Sequence, residues 1–296
     1  MALTDRPAGP GRRARSRRYL MCPPTYFDVS YQINPWMDPD GARPDRGRAR
    51  EQWQTIVDTY RRAGHHVEIV EPAAGLPDLV FTANAGLVID GRVLVARFRY
   101  AERAAEPAVA AGWFRDLGFD DVAVAERINE GEGDLLPVGG VVLAACGFRT
   151  ESAAHAEVAE YFDCDVVTLE LVDDHLYHLD TALAVLSDRE IAYWPDAFST
   201  ASCALLEDLF PDPVVASQPD AMAFGLNMCS DGRNVVMPHG ADGVRDQLIE
   251  RGFSVVALDT AELQKAGGAV KCCTLELRGR SGASGPPATP QAPEPV

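Results

Sequence analysis

Short apolar runs separated by tight turns recur along this chain in one order. Four segments share it: LVFTANAGLVIDGRVLVAR, NEGEGDLLPVGGVVLAACGFR, YHLDTALAVLSDREIAYWP and AFGLNMCSDGRNVVMPH. Each reads as a strand, a tight turn and a second strand, then a helical stretch and, in most units, a further apolar strand. Asp90-Gly91 and Gly139-Gly140 are the clearest hairpin turns. Helices are expected over 107–116, 153–162, 203–209 and 244–251, with strands over 122–125, 166–169 and 254–258. Ahead of these units, residues 19–22 predict a strand stopped by Pro23 and Pro24. A turn-rich loop, SYQINPWMDP, leads to a helix over 51–63, with Trp53, Ile56, Val57 and Tyr60 on one face and Gly64 beyond its end. A strand over 66–70 follows. At the other end, GGAVKCCTLEL carries a strand over 272–277 with no helix of its own. The first strand and helix lack a leading strand, so joining the two ends completes a fifth unit.

A polar or reactive residue heads each leading strand: Asn84, Asp134, Asp180, Asn227 and Cys272. The steps between them are roughly 45–50 residues, a spacing typical of repeats. A regular α/β chain without symmetry produces similar spacing from loop and helix lengths alone. The unusual residues sit at the heads rather than in the turns, which favours a closed ring of ββαβ repeats. In such a ring equivalent positions face a common axis, and residues distant in sequence meet there.

The 296 residues are 47% apolar, ordinary for a globular chain, and no apolar run approaches a membrane span. A formal net charge of −17 argues against a nucleic-acid partner. It fits a cytoplasmic protein, and an acidic field also draws in cationic small molecules. The seven cysteines are odd in number, scattered and without a CxxC, as expected of reduced thiols. Residues 1–18 hold Arg12, Arg13, Arg15, Arg17 and Arg18 but no apolar h-region and no amphipathic spacing. They are expected as a disordered basic tail rather than a signal. Residues 280–296, rich in Gly, Ala, Ser and Pro, are expected as a second disordered tail. One domain is left, over 19–279. The oligomeric state is not legible, and a homo-oligomer is compatible with the sequence.

The heads and their neighbours supply acid, base, amide and thiol groups. A cysteine attacks only as thiolate and needs a base or positive charge beside it, for which His178 is the natural partner of Cys272. Glu130 either orients His178 or binds substrate. His178 and Asp180, two apart, share one face if they lie on a strand. Asp180 and Asp134 then suit a planar cation such as a guanidinium, whose forked donors match carboxylates. Residue type alone makes Cys272 and Cys273 plain core, and on a strand only one of them faces the site. HxD without further histidines is a poor metal signal, and GEGD lacks the rest of a phosphate loop.

FTAN (81–84), EGEGD (130–134), GFRT (147–150), HLD (178–180) and GGAVKC (267–272), in that order, resemble the motifs of guanidine-modifying enzymes. These are the arginine deiminases, dimethylarginine dimethylaminohydrolases and arginine amidinotransferases. The resemblance runs from residue 19 to 277. It implies a five-bladed α/β propeller, the pentein fold, working on a guanidino amino acid with no metal or other cofactor. By that likeness Cys272 is the nucleophile and His178 the general acid/base. Glu130 and Asp180 bind the guanidine, with Asp134 as a supporting acid. Arg149 binds the substrate α-carboxylate, together with Arg97, and Asn34 joins the substrate-binding set. EGEGD is one residue longer than the commoner EGGD, which leaves Glu132 as an alternative to Glu130. Glu130 is preferred because the extra residue then bulges between the two acids.

Arginine deiminases carry Asp where this chain has Asn84. With MCPP (21–24) and INPWM (33–37), FTAN is most similar to the arginine dihydrolases of the superfamily, which convert arginine to ornithine, carbon dioxide and two ammonia. An ionised Asp only accepts hydrogen bonds, whereas Asn accepts and donates. Asn84 therefore suits first a guanidinium and then the ureido group of citrulline. A methylarginine hydrolase, a one-step deiminase and an amidinotransferase are the enzymatic alternatives. A non-catalytic arginine-binding module is the alternative of another class, and the complete set of reactive groups argues against it.

Overall fold

The structure, a computed structural model, describes residues 11–279. β1 (Arg18–Met21) is followed by a helix (Arg46–Arg62) and β2 (His66–Ile69). The next unit is β3 (Gly86–Ile89), β4 (Arg92–Val95), the helix Glu106–Asp116 and β5 (Asp121–Val124). Then come β6 (Leu135–Val138), β7 (Val141–Cys146), the helix Ala153–Phe162 and β8 (Asp165–Glu170). β9 (Leu183–Ser187), β10 (Glu190–Tyr193), the helix Thr200–Leu209 and β11 (Val214–Val215) form the next. The last full unit is β12 (Cys229–Ser230), β13 (Asn234–Pro238), the helix Asp242–Glu250 and β14 (Ser254–Leu258), and β15 (Leu275–Glu276) ends the series.

These strands make five three-stranded sheets of one design: an antiparallel leading strand, a central strand and a parallel third strand. In the fifth sheet β15 leads, pairing antiparallel with β1 (Tyr19 opposite Glu276), and β2 is parallel to β1. The expected union of the two chain ends is therefore present. The local reasons match the sequence. Asp90 (φ 51°) and Gly91 (φ 78°) adopt the left-handed pair that a two-residue hairpin needs. The first helix starts five residues earlier than expected because the Asp45 side chain caps it, accepting from the Arg48 N–H. Its buried face is Ala49, Trp53, Ile56, Val57 and Tyr60, and each such large apolar side chain contributes about 1.5–3 kcal/mol.

Two expectations need correction. The heads do not lie on strands. Asn84 sits in the 3-10 turn Thr82–Ala85, Asp180 in the one-turn helix Leu179–Ala182, and Cys272 in a turn ahead of β15. His178 caps that one-turn helix, so the period-two argument for His178 and Asp180 does not apply. The basic stretch is also not a free tail from Arg12 onward. Arg12 makes two bonds to Glu190 (2.7 and 2.9 Å) and lies 3.4 Å above the Phe253 ring centre, while Arg15 grips Asp188 at 2.6 and 2.9 Å. Forked guanidinium–carboxylate pairs offset the loss of chain freedom there. Residues 1–10 and 280–296 lie outside the described residues.

Candidate active site

The turns that precede the leading strands bring the reactive groups together, all of them buried. His178 Nε2 lies 2.9 Å from Glu130 Oε2, and the same oxygen accepts from Arg149 Nη1 at 2.8 Å. Burial alone raises the Glu130 carboxyl, but the Arg149 charge and the His178 bond outweigh it and hold Glu130 well below the usual carboxylate range. Glu132 points elsewhere. It accepts from Lys271 Nζ (2.8 Å) and pairs with Arg278, so of the two candidates only Glu130 reaches His178.

Cys272 Sγ lies 3.3 and 3.5 Å from the two carboxylate oxygens of Asp180. Burial pushes Asp180 up to about 6, with His178 and Lys271 offsetting only part of it. Burial, followed by the Asp180 charge, pushes the Cys272 thiol well above its ordinary value. Asp134 does not share the grip on a ligand that its spacing suggested. Its Oδ2 accepts from the Thr150 hydroxyl (2.7 Å) and its Oδ1 from the Leu179 N–H (3.1 Å), so it ties the His178 turn to the GFRT segment.

A narrow cavity of about 10 Å³ reaches Cys272 and is lined by Asn34, Asp78, Asn84, Arg103, Arg149 and Tyr177 among others. Asn34 bonds Tyr177 Oη (3.2 Å) and the Ala266 carbonyl (3.1 Å). Arg149 is sandwiched by the rings of Tyr100 and Tyr177 and donates to the Ile33 carbonyl at 2.9 Å. Arg97 is exposed, pairs through its backbone with Asn129 and neither lines this cavity nor bonds the cluster.

Arg103 and Asp78 are the residues that sequence reasoning missed. Arg103 is held by Glu106 at 2.8 and 2.9 Å and donates to Asn84 Oδ1 at 2.9 Å. Asp78 accepts from Tyr31 Oη at 2.7 Å, and burial raises its carboxyl despite Arg103. Asp78 stands six residues before Asn84 without any motif of its own, and YAERAAE around Arg103 gives no signal.

Three buried polar atoms here have no partner: Glu130 Oε1, His178 Nδ1 and Asp78 Oδ1. Buried polar atoms are rarely left so, and those of functional sites are among the exceptions. A larger cavity of about 580 Å³, reached by Lys271, Glu132 and Arg278, lies away from these atoms. Among the described residues one group could assemble metal ligands, Asp173, Asp174 and His175, and its last two members are exposed.

Comparison with known proteins gives this arrangement its class: a hydrolase acting on guanidino C–N bonds. The chain belongs to the family described as N,N dimethylarginine dimethylhydrolase, eukaryotic, whose profile matches residues 40–279. It is 52% identical to the N(G),N(G)-dimethylarginine dimethylaminohydrolase of Mycobacterium tuberculosis over 90% of this chain and 88% of that one. It is 37% identical to the bifunctional arginine dihydrolase/ornithine cyclodeaminase ArgZ of Synechocystis, matching 88% of this chain but only 37% of that longer protein. The solved N-terminal domain of ArgZ, bound to its substrate, superposes with a TM-score of 0.85 at 37% identity, covering 89% of this chain and 99% of that one.

Proposed function

We propose that the chain hydrolyses arginine twice at Cys272, giving ornithine, carbon dioxide and two ammonia. The observation that carries the reading is a cavity that ends on the Cys272 thiol and has the unpartnered Asp78 Oδ1 in its lining. Two more unpartnered atoms, Glu130 Oε1 and His178 Nδ1, lie in the buried cluster that Arg149 joins to the cavity wall. Hydrogen-bond donors of a guanidino amino acid suit those acceptors. Ile33, Asn34 and Met37 form one part of the cavity's wall.

In this reading Glu130 and Asp180 fix the guanidinium, while Arg149 and Arg103 take the α-carboxylate and Asp78 the α-amino group. The guanidinium displaces the thiol from Asp180 and favours its ionisation. The thiol proton passes to His178 Nδ1. The thiolate attacks the guanidino carbon, His178 gives the proton to the departing ammonia, and then activates water against the S–C bond. That yields citrulline and free Cys272. Asn84 holds the ureido group for a second round, in which water releases carbon dioxide, ammonia and ornithine. The likeness to substrate-bound ArgZ supports two steps.

The 52% identity to a dimethylarginine dimethylaminohydrolase favours a second reading, release of dimethylamine and citrulline from methylarginine. One incubation separates the two. Ornithine and ammonia from arginine alone support the dihydrolase. Citrulline and dimethylamine from dimethylarginine, with arginine untouched, replace it by the second reading. Cys272→Ser is expected to abolish turnover with an unchanged melting curve, and arginine consumption by that variant refutes both.

The same proposal takes the five sheets as blades of a propeller in one domain over 19–279, with Arg12–Arg18 packed against it. The shared strand order supports this. So does the larger cavity, which is lined by Ile89, Leu136, Leu183, Cys229 and Glu276, one from each leading strand.

A further inference from the structure

Asn227 heads the unit that led to no chemistry in the sequence, yet it is fully buried against the cysteine. Its Oδ1 accepts three backbone N–H groups of the segment that carries the thiol: Ala269 (3.1 Å), Lys271 (3.0 Å) and Cys272 (3.2 Å). An amide nitrogen in that place would face three donors, so the oxygen is fixed there and Nδ2 must turn the other way. Nδ2 donates one N–H to the Asp180 carbonyl at 2.9 Å and the other to Cys272 Sγ at 3.1 Å.

Sγ thus accepts from Asn227 while its own hydrogen points to the Asp180 carboxylate. Burial and the Asp180 charge both disfavour the thiolate. The Ala269 backbone N–H also favours the thiolate, and Asn227 Oδ1 holds that N–H in place at 3.1 Å. We propose that Asn227 is a catalytic residue, whose Nδ2–H is the fixed donor that carries the Cys272 thiolate charge once the guanidinium has taken Asp180. The role rests on the reading of Cys272 as nucleophile. It follows the logic of a preorganised donor aimed at the atom where charge develops. The three backbone bonds on Oδ1 make the donor rigid.

Asn227→Asp tests it. The variant keeps an oxygen for the three backbone N–H groups and replaces the donor at sulfur by an acceptor. Alkylation of Cys272 by iodoacetamide in the full chain, followed by peptide mass spectrometry, reads the thiolate against pH without any substrate. The midpoint is expected to move upward in the variant, with turnover of arginine or dimethylarginine falling about 100-fold. An unmoved alkylation midpoint overturns the proposal. If the variant does not fold, asparagine-15N-labelled wild-type and Cys272→Ser proteins decide. A side-chain amide resonance that titrates with Cys272 alkylation in the wild type, and is static in Cys272→Ser, supports the role, and its absence overturns it. A wild-type protein that shows the alkylation behaviour yet consumes neither substrate refutes the proposed function and leaves the Asn227 assignment standing.

Discussion

Arg103 donates to Oδ1 of Asn84 at 2.9 Å, and this bond settles which end of the Asn84 amide is left for a ligand. Nδ2 is turned to the Glu130 carbonyl at 3.2 Å, and its second N–H has no acceptor among the described residues. Asn84 therefore offers a donor, which narrows the accept-and-donate reading drawn from its residue type. A donor suits the oxygen of a ureido group, while in the proposed function Asp180 and Glu130 serve the guanidinium. Asn84→Asp removes the donor and sets a carboxylate oxygen against the Glu130 carbonyl. The first hydrolysis is expected to persist while the ornithine-to-citrulline ratio falls about tenfold, the worth of one hydrogen bond. Chromatography of both products from arginine checks this, and an unchanged ratio removes Asn84 from the second step.

Gly133 makes room for the same amide. A Cβ there would collide with Asn84 Nδ2 and press on the His178 ring at 3.3 Å. Gly133→Ala is expected to cost about 1–3 kcal/mol in urea melts through overpacking. Displacing the base and the amide together is expected to lower kcat by about 100-fold. Gly112 is the control, since a Cβ added to it in the helix Glu106–Asp116 meets nothing within 4 Å. Gly112→Ala should gain about 0.5–1 kcal/mol with unchanged kcat.

The fold was legible where local signals decide it. Asp90-Gly91 marks a hairpin, and the helix Ala153–Phe162 and the strand Ser254–Leu258 follow directly from their apolar spacing. The pairing of β15 with β1 was legible because each end lacked what the other supplied. Cys272, His178, Glu130 and Asp180 were singled out by their motifs, and the structure brings them together in two contacting pairs, His178 with Glu130 and Cys272 with Asp180. What escaped was set by packing rather than pattern. Arg103 lies in an unmarked helical approach and matters because Glu106 and Asn84 meet it in space. Asn227 drew no role from the sequence because its partners, Ala269 to Cys272, lie far along the chain. Arg97 was misplaced because nothing in its sequence tells an exposed arginine from a buried one.

Arg97 and Arg103 should therefore separate cleanly. Arg97→Ala is expected to leave KM within about twofold, as for other exposed changes away from a site. Arg103→Met strands the buried Glu106, whose carboxyl burial already pushes up to about 7 despite Arg103. Removing one partner of such a pair costs about 3–5 kcal/mol. The variant should lose that much stability in urea melts, and its KM for arginine should rise more than kcat falls. Equal effects of the two substitutions on KM would undo the assignment.

Asp180 sets a conflict between stability and activity. Its buried carboxyl is pushed from the ordinary 3.8 up to about 6. Between those values the folded chain holds a proton that the unfolded chain has lost. The group's contribution to stability is thus complete below pH 4 and is lost as pH rises through 6. By pH 7.5 the loss is on the order of 3 kcal/mol, from roughly two units at about 1.4 kcal/mol each. Asp180→Asn removes the buried charge, so urea melts should show it more stable than the wild type at pH 7.5 and equal to it near pH 4. The same substitution takes a carboxylate from the guanidinium, and turnover should be lost. In the wild type, protonation of Asp180 should lower kcat/KM for arginine as pH falls through about 6. A profile that stays flat from pH 7.5 to 5 would take Asp180 out of substrate binding.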